Sequence, residues 1–198
     1  MSSLNLTPAE HAPLAPEWSV EQWLNTDGRP SLDEYRGRVV VLHAFQMLCP
    51  GCVSHGIPQA QRIHALFPAD DVSVLGLHTV FEHHDAMTAV SLRAFLHEYR
   101  VAFPVGIDEA GVGTPLPKTM ETYRMRGTPS LILIDDRGRL RLHAFGRPSD
   151  MEVGAAIGTL LAERRVKAPG TEAPGPLAPP APSDCTEDGC TVPPTTDE

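Results

Sequence analysis

The sequence predicts an α/β fold in which a mixed β-sheet carries helices on both faces. Three observations lead to this fold class. Short apolar runs alternate with segments of helical periodicity through the earlier part of the chain. Two later runs are joined by Asp135-Asp136-Arg137-Gly138, a good hairpin turn. With 198 residues, of which 41% are hydrophobic, the chain can bury a core without disulfides.

Each element has its own signal in the sequence. Residues 38–45 form a β-branched apolar run that predicts a central strand, and the apolar residues within 92–99 follow the spacing of an amphipathic helix. The predicted strands are residues 38–45, 72–80, 103–107, 130–134 and 140–145. The predicted helices are residues 52–67, 92–99 and 119–124, and a last helix that begins at Ser149 or Asp150. Pro58 is expected to kink the first helix.

Composition sets the expected domain boundaries. Residues 1–17 are polar and contain prolines, which predicts a loose N-terminal arm. Residues 18–164 hold the predicted strands and helices and form the folded domain. Residues 165–198 predict a disordered, proline-rich tail. The part of this tail after Lys167 has no Lys or Arg and carries −6 of the formal net charge of −9, so the acidity belongs mostly to the tail.

Charge and the N-terminal residues limit the expected partners and compartment. The negative net charge argues against nucleic acid or an anionic membrane as a partner. The first residues lack the basic start and apolar run of a signal peptide, and no segment is as long as a transmembrane helix. We therefore expect a cytoplasmic protein, in which a cysteine pair is catalytic or metal-binding rather than a structural disulfide.

Cys49-Pro50-Gly51-Cys52 lies where the predicted central strand gives way to a helix. The partial positive charge of a helix N-terminus favours a thiolate, which is the nucleophilic form of cysteine. Cys49 is the more exposed candidate and is expected to attack a disulfide, and Cys52, one turn later, is expected to resolve the mixed disulfide. Proline costs no hydrogen bond at this position, and glycine leaves room for a partner's backbone.

A zinc site is the alternative interpretation of this cysteine pair. The chain offers one further pair, Cys185 and Cys190, with four residues between them in the acidic tail. Its distance along the chain makes a rigid four-cysteine site less favourable than a redox dithiol. We therefore predict that no metal is bound, and we interpret Cys185 and Cys190 as a candidate auxiliary dithiol.

A second motif, Gly127-Thr128-Pro129, runs directly into the strand predicted at residues 130–134. A bond between any residue and proline at such a place can be held in the cis form. A cis-proline loop beside a Cys-x-x-Cys motif would expose the backbone of Thr128 to an extended segment of a substrate. The alternative is a trans proline that simply opens an edge strand.

Together these motifs resemble the thioredoxin superfamily, and most of all its TlpA-like thiol-disulfide oxidoreductases and the wider redoxin group. The resemblance spans roughly residues 14–164. It implies a thioredoxin-like sheet, thiol-disulfide exchange at Cys49 and Cys52, and substrate contacts from Pro50, Gly51, Thr128 and Pro129. It also implies that no organic cofactor is needed.

Two departures from the family pattern matter for the chemistry. Leu48 stands where the family usually has Trp, so the aromatic residue that often flanks the site is missing. His43 occupies the position, six residues before the first cysteine, at which thioredoxins carry a buried Asp. A histidine there is a candidate catalytic base that could take the proton of Cys52.

The redoxin group also contains peroxidases, whose motif is Pro-x-x-x-Thr/Ser-x-x-Cys. Neither Cys49 nor Cys52 is preceded by that pattern. The sequence therefore favours a disulfide reductase that acts on protein or low-molecular-weight disulfides and is itself reduced by a thioredoxin- or glutathione-type reductant. A thiol-dependent peroxidase and a non-enzymatic metal carrier or thiol sensor are the alternatives.

Overall fold

The computed structural model describes residues 4–166, 184–186 and 189–191. The chain divides into two units, Met1–Lys167 and Ala168–Glu198. The first unit is built on one six-stranded sheet. Its strands are β1 (Val20–Leu24), β2 (Val39–Phe45), β3 (Val72–His78), β4 (Val105–Asp108), β5 (Ser130–Ile134) and β6 (Leu140–Phe145).

The sheet is mixed, as predicted, and its order is β1-β4-β3-β2-β5-β6. Strands β2, β3 and β4 are parallel to each other, whereas β1, β5 and β6 pair antiparallel with their neighbours. All five predicted strands are present. Strand β1 was not predicted, because its sequence Val-Glu-Gln-Trp-Leu is short and carries two polar residues.

The helices cover both faces of the sheet, which confirms the predicted layers. They are α1 (Ile57–Leu66), α2 (Ala89–Glu98), α3 (Lys118–Thr122) and α4 (Asp150–Val166). Every residue of β2 is buried. Its alternate side chains Val39, Val41 and Phe45 pack in one core with α1, α2 and α4. Val40, Leu42 and Ala44 point to the other face, where α3 and the two tryptophans lie. None of the described helices is long and apolar enough to cross a membrane.

Helix α4 begins with the cap that the sequence predicts. The Ser149 hydroxyl accepts a hydrogen bond from the Glu152 N–H at 3.3 Å, and the Glu152 carboxylate accepts one from the Ser149 N–H at 3.0 Å. This reciprocal pair is a capping box. The helix ends at Val166, so its last two residues lie beyond the predicted boundary at residue 164.

The irregularity predicted at Pro58 takes the form of a π-helical turn over Cys52–Gly56, directly before α1. Ile57 donates its N–H to the Cys52 carbonyl, one residue further back than in an α-helix. Pro58 has no N–H, so the regular α-helical hydrogen bond from residue 58 to the Ser54 carbonyl cannot form. The widened turn contains the second cysteine of the site.

The prediction of a loose N-terminal arm is wrong for residues 4–17. Thr7 donates its N–H to the Arg141 carbonyl at 2.8 Å, and Ala15 donates to the Gly138 carbonyl at 2.8 Å. Leu14 forms an antiparallel bridge with Arg139. The arm follows β6 because this edge strand presents backbone groups that need hydrogen-bond partners.

The second unit contains two short strands, β7 (Asp184–Thr186) and β8 (Gly189–Thr191). They pair antiparallel, with Cys185 directly opposite Cys190. The sequence predicted no strands here. Apart from these two strands and the end of α4, the segment predicted to be a disordered tail lies outside the described residues.

Candidate active site

The Cys49–Cys52 segment lies just after the end of β2, and the backbone holds both cysteines in a helical turn. Cys49 donates its N–H to the Gln46 carbonyl at 3.1 Å, and Cys52 donates to the Cys49 carbonyl at 3.0 Å. Both residues are free thiols. Cys49 is half-buried, whereas Cys52 is 0% exposed. A substrate can therefore reach Cys49 and cannot reach Cys52 first.

Hydrogen bonds connect the Cys49 sulfur to the second cysteine and to the loop before β5. The Cys52 N–H donates to Cys49 Sγ at 3.3 Å, and the Cys49 thiol donates to the Thr128 carbonyl oxygen at 3.5 Å. Burial first, and then the hydrogen bond with Cys49, raise the pKa of Cys52 to about 12. At neutral pH Cys52 is therefore a protonated thiol beside the accessible sulfur.

The Thr128–Pro129 peptide bond is cis, as the sequence predicts. Strand β5 starts at the next residue and runs antiparallel to β2, so this loop meets the end of β2 where the cysteines lie. A Cβ on Gly51 would lie 3.2 Å from Pro129 Cδ. The structure thus brings Cys49, Gly51, Thr128 and Pro129 together.

Three exposed side chains beside this loop, Arg126, Phe145 and Arg147, were not predicted as site residues. The Gly146 N–H donates to the Pro129 carbonyl at 2.9 Å, so the end of β6 is joined to the loop. Arg147 follows, and its Nε lies 3.4 Å from where a Gly51 Cβ would be. The Arg126 guanidinium lies 5.2 Å from the centre of the Phe145 ring. These contacts depend on how the end of β6 packs against Gly51 and the Thr128–Pro129 loop, for which no motif in the sequence provides a signal.

His43 lies on β2 beneath the π-helical turn and contacts it at Gly56. A Cβ on Gly56 would be 2.4 Å from His43 Cε1, so only glycine fits there. Burial, and to a lesser extent the charge of His55, lower the pKa of His43 to about 4. Its Nε2 has no hydrogen-bond partner among the described residues. His43 is thus neutral at neutral pH, and its predicted role as the base for Cys52 stays a prediction.

Because His43 and His78 are buried, we expect the protein to lose stability in acid. Burial lowers the pKa of His78 to about 4, as it does for His43. Between about pH 6.5 and 4 the unfolded chain binds a proton at each histidine that the folded chain does not bind, so the free energy of unfolding falls as the pH falls. We expect a loss on the order of 2 kcal/mol for each histidine between pH 7 and pH 5.

Urea unfolding at pH 7 and pH 5 checks this prediction. His43→Leu should reduce the difference in unfolding free energy between the two pH values. The matched control is His97→Leu, since His97 is an exposed histidine on α2. Identical pH differences for wild type and His43→Leu would contradict the assigned burial effect.

Among the described residues, no group of three or more His, Cys, Asp or Glu side chains is arranged to hold a metal ion. The side chains of Cys185 and Cys190 are not described, so the interpretation of four cysteines as a zinc site lies outside the described part of the chain.

Comparison with known proteins identifies the family. Residues 13–143 match the model of the AhpC/TSA family. A solved structure of a thioredoxin-like superfamily protein is 59% identical, with a TM-score of 0.73, over 75% of this chain and 96% of that chain. A thiol-disulfide isomerase from Corynebacterium glutamicum is 48% identical, with a TM-score of 0.74, over 77% of this chain and 98% of that chain.

A more distant structure shares the fold alone. It is an exposed lipoprotein thioredoxin from Streptococcus pneumoniae, 22% identical with a TM-score of 0.57, over 73% of this chain and 98% of that chain. No curated protein matches the sequence. The family match and the two similar structures agree with the geometry of the cysteine site, and the chain therefore belongs to the AhpC/TSA family, within the thioredoxin superfamily.

Proposed function

We propose that the protein is a disulfide reductase in which Cys49 attacks the substrate and Cys52 completes the reaction. The observation that carries this proposal is the contrast between the two thiols. Cys49 is accessible and contacts Thr128, whereas Cys52 is fully buried beside it. One sulfur can meet a partner, and the other is held for an intramolecular second step.

The proposed reaction has two exchanges. The Cys49 thiolate attacks one sulfur of the substrate disulfide, whose S–S bond breaks as the Cys49–substrate bond forms, and the released thiolate takes up a proton. Cys52 then loses its proton and attacks Cys49 Sγ, which releases the second substrate thiol and forms the Cys49–Cys52 disulfide. The substrate gains two electrons and the protein loses two. An external thiol of the thioredoxin or glutathione type restores the dithiol.

The high pKa of Cys52 makes its deprotonation the demanding part of the second exchange. Solvent that enters when the mixed disulfide forms, or His43, would take this proton. A thiolate of high intrinsic basicity is a strong nucleophile once it is formed. Burial of Cys52 thus protects the resting dithiol without preventing resolution.

We propose substrate contacts from Pro50, Gly51, Thr128 and Pro129; the hydrogen bond of the Cys49 thiol to the Thr128 carbonyl and the close approach of Gly51 to Pro129 support this proposal. We propose that they receive an extended segment of a protein or low-molecular-weight disulfide. Net reduction requires a reducing thiol pool, so we propose a cytoplasmic setting. We propose no nucleic acid or membrane partner.

A thiol-dependent peroxidase is the second candidate, because the AhpC/TSA family match favours it. The chain lacks the threonine and proline of the peroxidase motif at both cysteines. Gln46 and Leu42 stand at those positions for Cys49, and Cys49 and Phe45 stand there for Cys52. Consumption of hydrogen peroxide by the dithiol form, measured beside disulfide reduction, separates the two activities.

We propose that Cys185 and Cys190 form an auxiliary dithiol. Directly opposite residues of an antiparallel pair have Cα atoms about 4.5–5.5 Å apart, a separation that a disulfide can bridge. Their register in β7 and β8 supports the proposal that these two cysteines form a disulfide with each other.

A redox titration tests the proposed function. Wild type and the Cys185→Ser/Cys190→Ser variant are equilibrated over a range of thiol and disulfide ratios, alkylated and analysed by mass spectrometry, with metal content measured on the same sample. We expect a two-electron transition at Cys49 and Cys52 in both proteins, and a second one at Cys185 and Cys190 in wild type. A Cys49–Cys52 pair that never oxidises, or that is occupied by metal, would refute the reductase and favour the metal carrier.

A further inference from the structure

A cavity of about 660 Å³ opens beside the cis-proline loop, at the end of β6. Arg126, Phe145 and Arg147 line it, together with the start of the N-terminal arm and the capped start of α4. Phe145 is 47% exposed although it is a large apolar residue. The cavity therefore offers one exposed aromatic ring between two arginines.

Neither arginine is neutralised within the described part of the chain. Arg36, Arg62, Arg141 and Arg164 all form ion pairs with carboxylates, whereas Arg126 and Arg147 form none with residues 4–166. Glu152 is a carboxylate on the cavity wall, and it accepts two hydrogen bonds from Ser149. The exposed guanidinium groups keep their hydrogen-bonding capacity for a ligand.

The cavity lies close to Cys49 Sγ, and two sets of residue contacts connect its wall to the cysteine site. Arg147 is packed against Gly51, which lies between the two cysteines. The Phe145 ring lies 3.1 Å from where a Gly127 Cβ would be, and Gly127 precedes Thr128, whose carbonyl contacts Cys49 Sγ. A ligand in the cavity would therefore be a near neighbour of a disulfide presented to Cys49.

We infer that Arg126, Phe145 and Arg147 form an acidic-substrate subsite, which selects disulfides that carry carboxylates next to the reacting cysteine. This inference rests on the proposed reductase function. Guanidinium groups bind carboxylates through paired hydrogen bonds, and the exposed ring can cover the apolar part of a neighbouring side chain. The same chemistry fits an acidic peptide segment or a small disulfide with free carboxylates, such as glutathione disulfide.

The charge at the subsite comes from the arginines rather than from its histidine. Partial burial, and then the charge of Arg126, lower the pKa of His143, so this side chain is neutral at neutral pH. The selectivity for acidic substrates should consequently not change with pH near neutrality. It should weaken with added salt, which screens exposed charges.

Steady-state reduction of three matched peptide disulfides tests the subsite. The peptides carry Glu, Gln or Lys on both sides of the cysteine, dithiothreitol is the reductant, and glutathione disulfide is a fourth substrate. Wild type is compared with Arg126→Gln, Arg147→Gln, the double variant and Arg137→Gln. Arg137 is the control because it is exposed in the β5–β6 turn, at the opposite end of these strands from the cysteines.

We expect the double variant to lower kcat/KM for the Glu peptide about tenfold, through KM, with less than about a twofold change for the Gln peptide. The Lys peptide should be reduced faster, because repulsion is removed. A parallel loss with glutathione disulfide would extend the subsite to small carboxylate disulfides, and no such loss would restrict it to peptides. Arg137→Gln should match wild type.

Failure of this inference differs from failure of the proposed function. If wild type reduces all three peptides and the double variant keeps the same preference for Glu over Lys, the subsite is refuted and the reductase stands. If wild type reduces none of the substrates, the proposed function itself fails. Equal losses for all three peptides, in kcat rather than KM, would show that the arginines support the cysteine turn and do not select substrates.

Discussion

Replacing Cys49 with Ser should abolish disulfide reduction, and replacing Cys52 with Ser should leave the protein covalently attached to its substrate. Cys49 is the accessible sulfur, so its loss removes the nucleophile and should lower the rate roughly a thousandfold or more. Cys52 is needed only for the second exchange. In Cys52→Ser the first exchange proceeds, and a mixed disulfide between Cys49 and the substrate should accumulate.

Mass spectrometry of the protein after mixing with a peptide disulfide, without added reductant, distinguishes these two outcomes. Cys49→Ser should show no adduct, and Cys52→Ser should show a single adduct at Cys49 that dithiothreitol removes. Circular dichroism checks that both variants are folded. An adduct at Cys52 in the Cys49→Ser variant would reverse the roles assigned here, since it would require the buried thiol to meet the substrate first.

Replacing Gly56 with Ala should destabilise the protein by about 2–3 kcal/mol, although alanine normally stabilises a helix relative to glycine. The added methyl group would lie 2.4 Å from His43 Cε1 and 2.5 Å from Nε2, in a core where neither group can move freely. The strain should act on the turn that contains Cys52, so resolution of the mixed disulfide should slow as well.

A double-mutant cycle measured by urea unfolding tests the cause of this effect. His43→Ala removes the imidazole that the new methyl group would meet, so Gly56→Ala should cost much less in the His43→Ala background. Gly158→Ala, in α4, is the matched control, because a Cβ there has no atom within 4 Å. Additive effects of His43→Ala and Gly56→Ala would show that the two residues do not compete for space.

The elements with strong local signals could be predicted from the sequence, and the contacts between distant segments could not. The strand before Cys49 and the loop at Thr128 each have a local sequence pattern. The sequence therefore predicted a strand, a cis-proline loop and the closeness of the two at the cysteines. Strand β1 was missed because its polar residues hide its pairing with β4. Arg147 was missed because its position beside Gly51 depends on the end of another strand.

The position of His43 in the sequence suggests that it is a catalytic base, but its packing in the folded chain makes that role harder to fulfil. Its place six residues before the first cysteine suggested a base for Cys52. In the folded chain its side chain contacts Gly56, and burial removes its charge at neutral pH. Neither effect can be inferred from spacing, because both depend on how tightly the helix lies on the sheet.

The N-terminal arm also determines where another chain can pair with this side of the sheet. Exposed edge strands invite intermolecular β-pairing and aggregation. The arm's backbone hydrogen bonds to β6 and its turn cover residues 138–141, and they stop before the last residues of the strand. The protected part is remote from the cysteines, and the part left uncovered adjoins the loop at Pro129. The arm thus protects the turn and the first residues of β6 from self-association, while it leaves the end beside the reactive sulfur accessible to a transient partner.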